Sequence, residues 1–234
     1  MGYQRENGQF MKSFAEITHC AAKNAGGAAE LEARLLEPKS GEVLRKITDD
    51  RYLSTMSLRV FSAGLRHSMV REKWPAFEEV FQGFVPGKVA SFSDETLEVL
   101  MRDSRIIRHW QKILATRTNA IAMTEIATEH GSFADWLVSW PLEDTVGLWE
   151  ALQKRFSQLG GMSGPMFLRW VGKDTFILSS DVVCALNKLG IAKSEFKSKK
   201  DRRIAQDAFN VWREESGQAL CRISMILSIF TGVR

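Results

Sequence analysis

The sequence predicts an all-α protein, and three observations predict it. Apolar residues recur at three- and four-residue spacing through most of the 234 residues. Ser, Thr and Asp stand where these runs begin, and Gly or Pro where they end. No stretch keeps the one-in-two alternation of a half-buried strand, and there is no internal repeat.

The elements follow in order. Residues 14–23 have helical periodicity, and residues 28–36 are rich in good helix formers. Asn24-Ala25-Gly26-Gly27 separates the two, and residues 38–41 end the second. Thr48 and Asp49 offer a cap for a helix through Tyr52, Met56, Val60 and Ala63, closing near Gly64. Trp74, Phe77, Val80 and Phe81 mark a short helix stopped by Gly83 and Pro86. Ser93 starts another, with acids in its first turn that suit the helix dipole. The longest pattern, residues 105–130, carries Ile106, Trp110, Ile113, Ala120, Met123 and Ile126. Residues 133–140 add a further turn or two, and residues 142–156 lead into a glycine-rich stretch. A helix after Asp181 runs to Leu189, and one long amphipathic helix over residues 201–230 closes the chain.

Composition bounds the function without fixing it. The chain is 44% hydrophobic and 26% charged, that of an ordinary globular protein, and its length suits one domain or two closely packed lobes. The net charge of +4 and pI near 9.0 are compatible with a polyanionic partner, although many unrelated proteins are as basic. Cys20, Cys184 and Cys221 lie far apart and form no CxxC pair. Neither an iron–sulfur centre nor a cysteine-rich zinc site is signalled, no metal or cofactor is expected, and reduced thiols fit the cytoplasm. The first residues, MGYQRENGQFMKS, are polar, so no secretion signal is expected. The apolar run at residues 223–230 is too short to span a bilayer, so no membrane partner is expected.

Residues 159–183 carry the chemistry. Gly160-Gly161-Met162-Ser163-Gly164 is a turn whose glycines permit φ > 0, and Pro165 suits the first turn of the helix that follows. Exposed N–H groups of such a turn, backed by a helix N-terminus, form a site for phosphate. Asp181 follows about twenty residues on, in Ser179-Ser180-Asp181. Taken alone, that triplet is most simply a helix cap. Asp174, after Gly172-Lys173, reads as a solvated loop residue.

This stretch resembles the helix-hairpin-helix and Gly/Pro-Asp element of base-excision DNA glycosylases, whose turn runs roughly L-P-G-V-G and whose later Asp is catalytic. Here the turn is Leu159, Gly160, Gly161, Met162 and Ser163, with Ser in place of the second Gly. Residues 48–140 are similar to the DNA-3-methyladenine glycosylase I branch of that superfamily. The similarity rests on Ala63-Gly64-Leu65, on Phe77, Phe81, Phe84, Pro86, Lys88, Val89 and Ala90, and on Ile106-Ile107-Arg108-His109, Lys112-Ile113, Asn119-Ala120 and residues 132–137.

The resemblance implies a two-lobed helical bundle, with residues 1–47 as an N-terminal helical extension and residues 48–234 as the glycosylase domain, its hairpin at about 152–172. It implies a cytoplasmic, nucleoid-associated monomer acting on double-stranded DNA with a damaged base, most simply an alkylated purine such as 3-methyladenine. Asp181 would be the catalytic carboxylate, stabilising an oxocarbenium-like sugar and orienting water. Gly160, Gly161, Ser163 and Gly164 would hold the DNA backbone. Arg59, His67, Trp110 and Trp136 would wall the pocket for the flipped base, although tryptophans at helical spacing are more often core.

Bifunctional members use a hairpin lysine as nucleophile; Pro165 occupies that position, so base removal without strand cleavage is expected. This chain departs from its branch at two pocket positions. Arg59 stands where the branch has a glutamate, and His67 where it has a stacking tryptophan. The branch's zinc-binding Cys and His pairs have no counterpart, and Asp181 supplies an acid that the branch lacks. The alternative reading is a damaged-DNA binding protein of altered specificity or without catalysis; a third is a hairpin that serves only protein contacts. The basic run Lys193, Lys197, Lys199, Lys200, Arg202 and Arg203 is either a solvated helix start or a set of phosphate contacts. Arg108 and His109 read as structural, one in a salt bridge and one in a cap or buried hydrogen bond.

Overall fold

A computed structural model describes residues 12–232. Among these the regular structure is entirely helical. The α-helices are α1 (Phe14–Ala25), α2 (Ala28–Glu32), α3 (Gly41–Arg45), α4 (Asp49–Ser62), α5 (His67–Glu72), α6 (Trp74–Val80), α7 (Pro86–Ala90), α8 (Asp94–Arg102), α9 (Trp110–His130), α10 (Phe133–Ser139), α11 (Thr145–Arg155), α12 (Ser163–Val171), α13 (Ser180–Lys188), α14 (Lys199–Ser216) and α15 (Leu220–Phe230).

The chain divides into two compact units. One comprises residues Lys39–Pro141 and Gly147–Lys173, and the other residues 12–38, Leu142–Val146 and 174–232. The units therefore cut the chain elsewhere than at residue 47. Residues 12–38 share a unit with the last quarter of the chain, and residues 39–47 belong to the other.

In the unit built on residues 39–173, α4 packs against α9 and α12. Its core is aromatic. Trp74 lies nearly parallel to Phe77 and Phe84, at ring separations of 4.8 and 5.3 Å, and Phe61 meets Phe77 edge-on at 4.6 Å. The Trp74 indole N–H donates to Ser54 Oγ at 3.1 Å, and that hydroxyl donates to Glu78 at 2.6 Å. These two bonds satisfy the indole N–H and the Ser54 hydroxyl where they enter the core. At the other end of α4, Tyr52 packs on Phe133 at 5.0 Å, and the Asp49 carboxylate accepts the Phe133 N–H at 3.2 Å.

The second unit is built on α1, α13, α14 and α15. Phe176 stacks on Phe209 at 4.2 Å, and Trp212 is fully buried beside Phe209 and Phe14. Arg222 reaches from α15 to the carboxylates of Glu32 and Glu37, tying residues 28–38 to the C-terminal helices. A cavity of about 390 Å³ lies beside this contact, lined by Phe14, Leu31, Leu35 and Ile226.

Several elements differ from the sequence reading. The expected helix over residues 201–230 is two helices. Gly217 takes a left-handed conformation (φ +66°) and closes α14, and α15 then restarts at Leu220. The restart is held by Asp174, which is not a solvated loop residue. It is buried, and its two carboxylate oxygens accept the N–H groups of Leu220 at 3.0 Å and Cys221 at 2.8 Å. Residues 105–109 are not helical, so the longest helix begins at Trp110. The helical run from Ala28 ends at Glu32, four residues short of its expected end. The five- and six-residue helices α3, α5 and α7 fell below the length at which periodicity is readable.

Candidate functional site

The glycine-rich stretch forms a turn between α11 and α12. Gly161 has φ +59° and open space around it, and Gln158 takes φ +64°. Gly164 serves a different purpose. A Cβ there would lie 2.9 Å from the Leu159 carbonyl oxygen, so only glycine lets the first turn of α12 approach the chain that precedes it. Asn119, fully buried in α9, clamps the turn from below. Its Oδ1 accepts the Ser157 N–H at 2.7 Å and its Nδ2 donates to the Ser157 carbonyl at 3.1 Å.

The N-cap of α12 is Met162, with no side-chain cap. The partial positive charge of the helix start is therefore left for an external anion. Ser163 cannot offer its amide, which donates to the Gly160 carbonyl at 3.1 Å, so any phosphate contact it makes uses its hydroxyl. Gly161 and Met162 are exposed.

A second feature of the same unit lies where α4, α5 and α12 supply side chains to one cluster. Trp170 is its centre. The Arg59 guanidinium carbon lies 5.8 Å from the Trp170 ring centroid and that of Arg71 5.7 Å, both over the ring, while His67 meets it edge-on at 5.6 Å. Arg59 makes no hydrogen bond or ion pair with any described residue, and its Nε is buried without an acceptor. A buried donor left unsatisfied costs about 1–3 kcal/mol. Burial pulls the Arg59 guanidinium below its ordinary pKa. It does the same to Lys112, with the Arg59 charge adding a smaller push. The Lys112 ammonium donates to the carbonyls of Phe61 at 3.1 Å and Ala63 at 2.7 Å, closing the C-terminal end of α4. The cluster is thus cationic and aromatic, and the buried Arg59 Nε is a donor that no described residue satisfies.

The sequence-derived pocket residues divide on this geometry. Arg59 and His67 meet in the Trp170 cluster. Trp136 is core: it is 5% exposed and packs among Phe133, Trp140 and Phe156. Its ring is packed among these neighbours and not in the Trp170 cluster. Trp110 is 37% exposed at the start of α9 and makes no ring contact among the described residues. Arg108, just before it, is exposed and its side chain holds no hydrogen bond or ion pair with the described residues, contrary to the salt bridge expected of it. His109 is the N-cap residue of α9, its carbonyl accepting the N–H groups of Lys112 and Ile113 at 3.0 Å, while its exposed side chain makes no cap bond. The basic run is partly committed: Lys197 pairs with Glu195, and Arg203 with Asp144 at 2.7 Å. Sequence reasoning missed Trp170 and Arg71. Trp170 was hidden inside an apolar helix, where an aromatic reads as core.

Asp181 lies in the first turn of α13, but the cap is Ser179, whose hydroxyl accepts the Val182 N–H at 3.3 Å. The half-buried Asp181 carboxylate makes no hydrogen bond or ion pair with the described residues. The cap role that competed for Asp181 is therefore filled by its neighbour.

Comparison with known proteins points to one family. Residues 43–157 match the model of the methyladenine glycosylase family. Over that stretch the chain is similar to the methyladenine glycosylase family. The stretch contains Arg59, His67, Trp110 and Trp136 and ends just before Leu159. The chain is also similar to the DNA-3-methyladenine glycosylase 1 of Escherichia coli (strain K12), 35% identical over 94 residues, 40% of this chain and 50% of that protein. It thus spans half the length of that curated relative. Two solved structures share the methyladenine glycosylase fold with this chain. One is a 3-methyladenine DNA glycosylase I, with a TM-score of 0.50 and 23% identity, covering 62% of this chain and 87% of the other. The other is a variant of the Staphylococcus aureus 3-methyladenine DNA glycosylase I, with a TM-score of 0.50 and 24% identity, covering 54% and 78%.

Proposed function

We propose that this protein is a monofunctional DNA glycosylase that hydrolyses the N-glycosidic bond of a damaged purine in double-stranded DNA, the first step of base excision repair. The observation that carries this reading is a family-matched helical stretch followed by a turn whose uncapped helix start, open Gly161 and buried Asn119 clamp suit a phosphate. Gly160, Gly161, Ser163 and Gly164 hold the DNA strand in a sequence-independent way. Arg59 and His67 belong to the pocket that receives the extruded base.

Asp181 is the carboxylate assigned to the chemistry. Cleavage builds positive charge on the sugar, and a carboxylate stabilises it and orients water. Of the two acids that follow the turn, Asp174 is consumed by the cap of α15, whereas Asp181 keeps its full acceptor capacity. The protein acts in the cytoplasm on nucleoid DNA as a monomer. Among the described residues, no helix is long and apolar enough to cross a membrane.

The test is base release from lesion-containing duplexes, followed by alkaline cleavage of the abasic product. Asp181→Asn is expected to bind duplex DNA as the wild type does and to release no base. Turnover equal to wild type would remove Asp181 from the chemistry. Binding to lesion duplexes without release by the wild type would leave the alternative, a damaged-DNA binding protein.

A further inference from the structure

We infer that the base accepted by this pocket is a neutral purine carrying a carbonyl acceptor beside a ring nitrogen, a 6-oxopurine such as the hypoxanthine formed by deamination of adenine, and that Arg59 selects it. The inference rests on the proposed glycosylase reading and names its substrate class.

The reasoning starts from what Arg59 can and cannot do. A guanidinium has five N–H donors in a planar fork, no acceptor, and a charge that cannot be removed in a protein. None of those donors is used by a described residue, and the buried Nε lacks an acceptor. The guanidinium carbon lies over the Trp170 ring, 5.8 Å from its centroid. Arg71 lies over the same ring and Lys112 lies near enough for the Arg59 charge to oppose its own, so the neighbours add positive charge. Among the described residues no carboxylate pairs with Arg59.

Two consequences follow. An N-alkylated purine nucleoside carries a positive charge on the base, and bringing it beside Arg59 in a partly desolvated pocket is repulsive. At a separation of about 4 Å this disfavours the cation by at least ~100-fold. A 6-oxopurine presents O6 and N7 as adjacent acceptors, the pair that an arginine fork grips with two parallel hydrogen bonds. Adenine-type bases present an N6 amino donor at that edge, which leaves one arm of the fork opposed by a like group. A site built to hydrogen-bond one edge rejects the analogue that lacks it far more strongly than an apolar pocket can.

The experiment compares the full-length protein on matched duplexes containing deoxyinosine, on DNA methylated to carry 3-methyladenine and 7-methylguanine, and on undamaged DNA. Both base release and duplex binding are read, for the wild type, Arg59→Glu and Arg59→Gln. The expected result is release of hypoxanthine at least ~100-fold faster than of either methylated base. Arg59→Glu should reverse the order and Arg59→Gln should flatten it. Preferential release of the methylated bases by the wild type would overturn this inference and leave the glycosylase reading standing. Arg59-dependent preference for the deoxyinosine duplex in binding, with no release of any base, would overturn the glycosylase reading and keep the inference. Equal treatment of all three duplexes in both readouts would overturn both. The wild-type comparison decides the matter even where a charge-reversal variant fails to fold.

Discussion

The side chain of Asn119 closes a two-bond ring with the backbone of Ser157, accepting its N–H at 2.7 Å and donating to its carbonyl at 3.1 Å. Asn119 is fully buried, so the ring replaces water that cannot reach it. Asn119→Ala is expected to destabilise the protein by about 1–2 kcal/mol, since the N–H and carbonyl of the half-buried Ser157 lose their partners. It should also weaken binding to every duplex, damaged or not. Asn119→Asp, which keeps the acceptor and loses the donor, should fall between. Urea unfolding and a binding titration on undamaged DNA check both parts. Unchanged affinity in the alanine variant would separate the clamp from DNA recognition.

The two turn glycines should respond differently to the same methyl group. Gly164→Ala pushes a Cβ to 2.9 Å from the Leu159 carbonyl, a contact that backbone must move to relieve, and a thermal melt should show clear destabilisation. Gly161→Ala meets no atom and suffers only the left-handed φ of +59°, which costs about 1 kcal/mol. Gly161→Asp should leave the fold intact and weaken binding to all duplexes alike by placing a carboxylate beside phosphate. An effect confined to one lesion would place the turn at the base instead.

Asp174 and Asp181 provide an internal control. Asp174→Ala should lower stability by about 1–3 kcal/mol, because it strips the cap from α15 and leaves two N–H groups buried. Asp181→Asn should lower stability by no more than about 0.5 kcal/mol, the loss of an acid in the first turn of α13, since its carboxylate makes no hydrogen bond or ion pair with the described residues. Calorimetry on the pair distinguishes a structural acid from one free for chemistry. A large stability loss on Asp181→Asn would argue for a structural role.

Asp49 should reveal itself through pH. Burial, only partly offset by the Phe133 N–H, raises its carboxyl above the ordinary value of 3.8. The native state then holds the proton more tightly than the unfolded chain. The stability that this provides is complete below pH 3.8 and is lost as the pH climbs through the raised value. Relative to Asp49→Asn, which keeps an acceptor for Phe133, the wild type should lose stability as pH rises across the carboxylate range. A difference between the two melting curves that does not vary with pH would contradict this.

The helical class was legible because the periodicity of α4, α8 and α9 is sustained, and Ser93 caps α8 with its hydroxyl as expected. Glycine punctuation was legible at Gly131 and misjudged at Gly217, where amphipathic residues on both sides concealed a left-handed break. The long-range partners were not legible. Asp174 meets Leu220 across 46 positions, and nothing local distinguishes it from a solvated loop acid. For the same reason Arg59 could be named as a pocket candidate while Trp170, more than a hundred positions away, could not. A cation that has lost its acidic neighbour is visible in one dimension; the ring that holds it is visible only in three.

The helices at the two ends of the chain share one core, with Arg222 fastened to Glu32 and Glu37. During synthesis, the segment that contains α1 and α2 therefore leaves the ribosome long before its partners exist. The unit of residues 39–173 can close in the meantime. Until α13, α14 and α15 emerge, Phe14, Ile17 and Leu31 have no native surface to cover them. This interval is a window of exposure for chaperones and for aggregation. Nascent chains stalled before residue 174 should bind a holdase through the N-terminal helices, and finished ones should not.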